Sequence, residues 1–131
     1  MALTETGIVL ARRVLSIYGV IQMSLTIRTQ PHRTRQIIEA LRSLMRPAQL
    51  DRGCTSARLY SEVGDPECLN YLEEWNSEDD LERQLRSGHF ARLVAIMETA
   101  AEPPTLKFNH VVDTNGLEFG ARVCGHTVRD R

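Results

Sequence analysis

The chain is poor in the features that would assign a chemistry outright. Its three cysteines, Cys54, Cys68 and Cys124, form no Cys-x-x-Cys pair and have no metal-ligand spacing, so zinc and dithiol motifs are excluded and no metal site is expected. There is no Gly-rich phosphate loop and no nucleophile elbow, so neither nucleotide cradling nor Ser-His-Asp hydrolysis is signalled. Sixteen basic residues against seventeen acidic ones leave a formal net charge of −1. With no basic stripe interleaved with aromatics, nucleic acid is not an expected partner. No apolar run approaches the roughly 20 residues of a membrane helix, so no membrane association is expected. The stretch 14–21 behind Arg12-Arg13 is short, preceded by Glu5 and followed by no small-residue cleavage site, which argues against a secretory leader. An odd set of cysteines fits reduced thiols in a cytoplasmic protein. Cys54 and Cys68, on neighbouring predicted strands, read as small packing residues.

What is present suffices for one domain. The chain's 131 residues can hold a single core but not two. A hydrophobic share of 42% and a charged share of 25% place that domain in the globular range. The expected organisation is an N-terminal extension over residues 1–19, a folded domain over 20–113, and a C-terminal strand or arm with a tail over 114–131.

Residues 21–27 alternate, with Ile21, Met23, Leu25 and Ile27 on one side and Gln22, Ser24 and Thr26 on the other, the period of a half-buried strand. Pro31 marks the approach to a helix in which Ile37, Ile38, Leu41, Leu44 and Met45 recur at helical spacing, and Pro47 is expected to stop it. Residues 54–63 alternate again, Ala57, Leu59, Ser61 and Val63 against Ser56, Arg58, Tyr60 and Glu62. Gly64-Asp65-Pro66 is turn chemistry. Residues 68–75 then return as a strand with Leu69, Tyr71, Glu73 and Trp75 on one face. Ser77, with Asp80 three positions on, caps a helix carrying Leu81 and Leu85. Ser87-Gly88 interrupts the pattern before a helical stripe of Phe90, Leu93, Val94, Met97 and Ala100, which Pro103-Pro104 ends. Leu106, Phe108, His110 and Val112 mark a fourth strand, and residues 117–123 read as a short fifth strand or an arm.

The order β-α-β-β-α-β is the ferredoxin-like split arrangement, an α+β sandwich with both helices on one sheet face. Met23, Leu59, Tyr60, Tyr71, Leu72 and Phe108 are expected to leave apolar residues on both faces. The uncovered face then needs another cover, and a second copy of the chain is the simplest one.

Several local signatures follow one another over residues 20–113: Gly53-Cys54 before the second strand, Tyr60 within it, and Asp65-Pro66 at the turn. Glu73 to Trp75 end the third strand, Ser77 to Leu81 form the cap, and Ser87-Gly88-His89-Phe90 lie between the helices. In that order and spacing the chain resembles the antibiotic biosynthesis monooxygenase superfamily of dimeric α+β barrels, and its quinol monooxygenase-like members in particular. The resemblance implies a homodimer whose sheets pack face to face. It also implies an enzyme without cofactor that oxidises a quinol or phenolic aromatic with molecular oxygen. In that chemistry the pocket deprotonates the phenol and the anion passes an electron to oxygen. One position departs from the pattern: Gln84 stands where the first helix histidine is expected, and an amide takes no proton near neutral pH. The Asn, Trp and His of the haem-degrading branch find no match, their helix positions falling at Gln84 and Val94.

His89 is the candidate catalytic residue, because imidazole titrates near physiological pH and the resemblance places a histidine there. Trp75, Tyr71, Tyr60 and Asn70 are the candidate substrate-binding residues. Trp75 would roof a pocket or anchor the core, the tyrosines would orient a phenolic ligand, and Asn70 would bond a developing oxyanion. Arg58 and Arg122 are lesser candidates for neutralising an anionic group. His110 reads as a satisfied core histidine, and His32 and His126 as surface residues. Two other functions stay open: a non-redox isomerase of a small metabolite on the same scaffold, and a non-catalytic dimer that binds a small ligand.

Overall fold

Alternation along the chain becomes register across a sheet. In the computed structural model, which describes residues 19–125, four strands form one antiparallel sheet in the order β2-β3-β1-β4. They are β1 (Val20–Arg28), β2 (Cys54–Glu62), β3 (Asp65–Trp75) and β4 (Thr105–Val111). A 3-10 turn (Pro31–Arg33) and α1 (Thr34–Leu50) connect β1 to β2. Between β3 and β4 come α2 (Glu78–Gln84), a π-type turn (Leu85–His89) and α3 (Phe90–Met97), and α4 (Leu117–Val123) follows β4. This is the α+β ferredoxin-like arrangement. The N-terminal extension, with Arg12-Arg13, and the tail from His126 onward lie outside the described residues.

β1 occupies the centre because one of its faces is apolar throughout: Ile21, Met23, Leu25 and Ile27 are all buried. α1 lays Ile37, Leu41 and Leu44 over that face, and Leu93 of α3 joins them. A second cluster at the other end of the sheet gathers Ile21, Ala48, Ala57 and Leu81 around Trp75. Full burial of a side chain of this size stabilises by about 1.5–3 kcal/mol, so packing rather than intrinsic propensity holds these helices in place.

Three expectations are corrected. Pro47 does not stop α1, which runs on to Leu50. The carbonyl it leaves without a donor belongs to exposed Ser43, where water can serve it, while Leu44 and Ala48 stay buried. Asp65-Pro66 belongs to β3, and the turn is Val63-Gly64, with Gly64 at φ +82° supplying the left-handed conformation a tight hairpin needs. Residues 117–123 form a helix and no strand. There the Glu118 carboxylate accepts the Gly116 N–H at 3.0 Å, and Arg122 lies over the Phe119 ring, local bonds that outweigh a short alternation.

The six apolar residues named from the sequence divide between both faces of the sheet, as expected. Register puts Leu59 opposite Tyr71 and Phe108 opposite Met23, all on the helix-covered face. Tyr60 and Leu72 lie on the open face. Around them the face is polar and internally bonded: Gln22 donates to Glu74 at 2.9 Å, Thr26 to Asn70 at 2.9 Å, and Arg28 to Asp65 at 2.7 and 3.1 Å.

Candidate functional site

Period two along β3 aims Tyr71, Glu73 and Trp75 at the same side, under the helices, and all three are fully buried. Glu73 is thus a carboxylate set into an otherwise apolar row. The chain then leaves β3 through Ser77, whose Oγ accepts the Asp80 N–H at 3.2 Å and starts α2. Helical bonding fails after Gln84. The turn Leu85–His89 is π-type and Gly88 takes φ +94°, a conformation that side-chain-bearing residues avoid. That break turns His89 back onto β3.

The result is a closed polar knot. His89 Nε2 lies 2.6 Å from Glu73 Oε2, and Trp75 Nε1 donates to Glu73 Oε1 at 3.0 Å. The Tyr71 hydroxyl donates to Oε2 as well. Indole and phenol bring a proton each, and an ionised carboxylate can only accept, so Nε2 carries the imidazole proton. Nδ1 is then the basic nitrogen of His89, and it makes no hydrogen bond among the described residues. Burial first, then the Glu73 charge and the bond to it, push the Tyr71 phenol well above its ordinary value. Tyr71 therefore stays a donor. Among the described residues no side-chain nitrogen or oxygen wholly shut off from solvent lacks a partner, as a polar group in a core requires, and the unbonded Nδ1 is not among those shut off.

Of the residues singled out from the sequence, the fold brings His89, Trp75 and Tyr71 together. It places Tyr60 and Asn70 elsewhere: they are cross-strand partners on the open face, separated from His89 by the sheet. Arg58 joins them, its guanidinium donating to the Tyr60 hydroxyl at 3.4 Å. Arg122 sits on exposed α4 over Phe119. His110 is not a satisfied core histidine. Its side chain is 42% exposed on β4, with Nε2 4.0 Å from Glu78 Oε2. Gln84 ends α2 outside the knot. The residue that sequence reasoning passed over is Glu73. The signal was a single charge within the row Leu69, Tyr71, Glu73, Trp75.

Two neighbouring features frame the knot. Asp51 Oδ1 accepts the Gly53 N–H at 2.9 Å and the Arg83 guanidinium at 2.8 Å, which together hold its carboxyl below the usual range. A Cβ on Gly53 would stand 2.5 Å from Asp80 Cβ, so the loop and the start of α2 meet closely because residue 53 has no side chain. Cys54, next in the chain, donates to the Ser56 carbonyl at 3.3 Å. Burial, then the Glu73 charge, push its thiol up to about 11, which keeps it a packing residue and no nucleophile.

Comparison with known proteins gives a consistent placement. The sequence model of the family described as antibiotic biosynthesis monooxygenase matches residues 21–96. No curated protein matches the chain significantly. Among solved structures, a conserved protein from Methanosarcina mazei superposes with a TM-score of 0.63 at 23% identity, over 74% of this chain and 96% of that one. A Bacteroides thetaiotaomicron protein described as a possible oxidoreductase gives 0.63 at 20% identity, over 71% and 98%. A structure named antibiotic biosynthesis monooxygenase gives 0.61 at 20%, over 73% and 99%. At these identities the structures speak for the fold.

Proposed function

The chain belongs to the antibiotic biosynthesis monooxygenase family, and from that premise we propose that it oxidises a quinol or electron-rich phenol with molecular oxygen, the substrate supplying the electrons. The observation that carries this reading is the buried Glu73–His89 pair. A carboxylate bonded to Nε2 fixes the tautomer and stabilises the imidazolium that forms when Nδ1 takes a proton, so His89 is the base for the phenolic hydroxyl. The phenolate passes electrons to oxygen. One oxygen atom enters the ring at a C–H position, the other leaves as water with two protons, and the ring gives up four electrons as it becomes a quinone. Glu73 positions His89, while Tyr71 and Trp75 hold Glu73.

In this reading the turn Leu85–His89, where π-type bonding and the Gly88 backbone interrupt the helix, has to open to bring substrate to Nδ1. An apolar cleft between α2 and β4 shares Ile21, Leu81 and Leu85 with the packing around Trp75. The same reading makes the protein a homodimer joined through its open sheet faces, with Tyr60 and Asn70 as interface residues. Its free thiols, Cys54, Cys68 and Cys124, suit a reducing cytoplasm.

Oxygen consumption with a panel of quinols tests the proposal. Replacing a general base lowers the rate by about 10²–10⁴-fold, so His89→Ala, shown by circular dichroism to be folded, loses at least a hundredfold. Turnover no higher than that of His89→Ala across the panel ends the assignment. One observation favours a second reading, a non-catalytic ligand-binding dimer: the knot is sealed, the His89 side chain being 3% exposed and that of Glu73 0%. Thermal stabilisation by a quinol that is never consumed is the result that reading expects.

A further inference from the structure

Two hollows lie end to end along the seam between α1 and α3, with volumes of about 190 and 260 Å3. They share Ala40, Ala95 and Ile96 and so form one groove. Arg33 stands at the end where α1 begins, and Arg92 at the other, beside Leu44. Arg33 and Leu44 are eleven positions apart, which along a helix is about 16 Å. The floor is apolar because Ile37, Leu44 and Ile96, all buried, meet beneath it. Ala40 and Ala95 keep the walls low, so another backbone can approach closely.

The groove also has a sign. No acid lines it. α1 carries Arg35, Arg42 and Arg46 against one acid, Glu39, which Arg42 holds at 3.1 Å. α3 carries Arg92 and no acid, and Glu98 beyond its end is not part of the lining. Among the described residues neither Arg33 nor Arg92 has an acidic partner. The whole chain stands at −1, so this basic layer does not follow from composition.

We propose that the groove docks an amphipathic helix of another protein, one that presents small apolar residues between two acidic ones. A helix returns to the same face after eleven residues, having risen about 16 Å, so carboxylates at that spacing meet Arg33 and Arg92 together. Shape selects a helix, because a concave seam takes a ridge whereas a flat lipid surface touches only its rims. The chain's own acidic helix, α2, has seven residues and spans about 10 Å, too little to reach both arginines from a second copy. The proposal is independent of the oxygenase reading.

The test is fluorescence anisotropy of the full chain with a labelled peptide of about 18 residues, long enough for an isolated helix to persist. One face carries two glutamates eleven positions apart, with alanine and leucine between them, and a control peptide has lysine in place of both glutamates. The glutamate peptide is expected to bind and the lysine peptide to fail. Arg33→Ala and Arg92→Ala each weaken binding about two- to fivefold, the worth of an exposed ion pair. At about 1 M salt, where charges are screened beyond about 3 Å, that difference disappears. Ala95→Gln, at an exposed helix position where glutamine is well accepted, fills the groove and abolishes binding. Equal binding of the two peptides, binding indifferent to the three substitutions, or no binding at millimolar peptide overturns the proposal. Two other results overturn it by naming a different occupant. A smaller sedimenting mass for Ala95→Gln than for the wild type assigns the groove to a second copy. Binding to phosphatidylglycerol vesicles that Ala95→Gln leaves unchanged assigns the basic layer to a lipid surface.

Discussion

Glu73 has three donors and no exposed edge, and each donor brings a different chemistry to it. Tyr71 is the one whose proton can be followed. Its folded value is raised by burial and by the Glu73 charge, whereas a phenol in the unfolded chain titrates near about 10. Below that pH both states keep the proton and the contribution of Tyr71 to stability is fully present. Above it the unfolded chain loses its proton first, so stability falls as pH rises. Urea unfolding of Tyr71→Phe is expected to show a loss of about 1.5–3 kcal/mol at pH 8 and a shallower decline above pH 10 than the wild type. The residual slope comes in part from Cys54, whose thiol is likewise raised, to about 11. Identical slopes in the two proteins would show that Glu73 does not hold the Tyr71 proton. At this scale the sequence disclosed His89, Trp75 and Tyr71 but not the carboxylate joining them. Composition and motif place a glutamate on a face, and only the fold shows that three donors converge on it.

At the scale of the element, backbone conformation explains more than side-chain type. Gly88 at φ +94° is where α2 gives way to the turn that delivers His89, and Gly120 lies inside α4 with open space around its Cα. The same substitution therefore has opposite signs at the two sites. Gly88→Ala is expected to destabilise by about 1–3 kcal/mol through backbone strain and to lower turnover. Gly120→Ala is expected to stabilise by about 0.5–1 kcal/mol, because alanine has less freedom to lose in a helix. Thermal and urea melts measure both, and equal effects would refute this account. The strands were legible because alternation and burial coincide in β1 and β3. Residues 117–123 were not, since seven residues support either period, and capping by Glu118 decided between them. Pro47 was misread because a proline on the wet side of a helix leaves only an exposed carbonyl unserved.

For the molecule as a whole, the two sheet faces have different characters. The helix-covered face holds the core and the knot. The open face carries Gln22–Glu74, Thr26–Asn70 and Arg28–Asp65 pairs around Leu72 and Tyr60. A twin subunit docking there would meet a polar, internally bonded surface, and interfaces of that kind hold together through bridging water as well as direct contacts. Sedimentation velocity at micromolar concentration is expected to give twice the monomer mass, and Leu72→Lys to give the monomer. A wild-type monomer under those conditions removes the dimer. Topology was readable from sequence. The face on which each apolar residue falls was not, because Tyr60 and Tyr71 look alike until register separates them.

The bond from Trp75 to Glu73 has an optical consequence. The chain contains a single tryptophan, and its indole nitrogen is tied to the carboxylate that orients His89. The emission of the protein is therefore the emission of one buried ring at the heart of the knot. Any event that moves a proton onto Glu73, or admits water beside it, alters the field along that indole and so the colour and intensity of the fluorescence. The molecule carries its own reporter, already in place and needing no label.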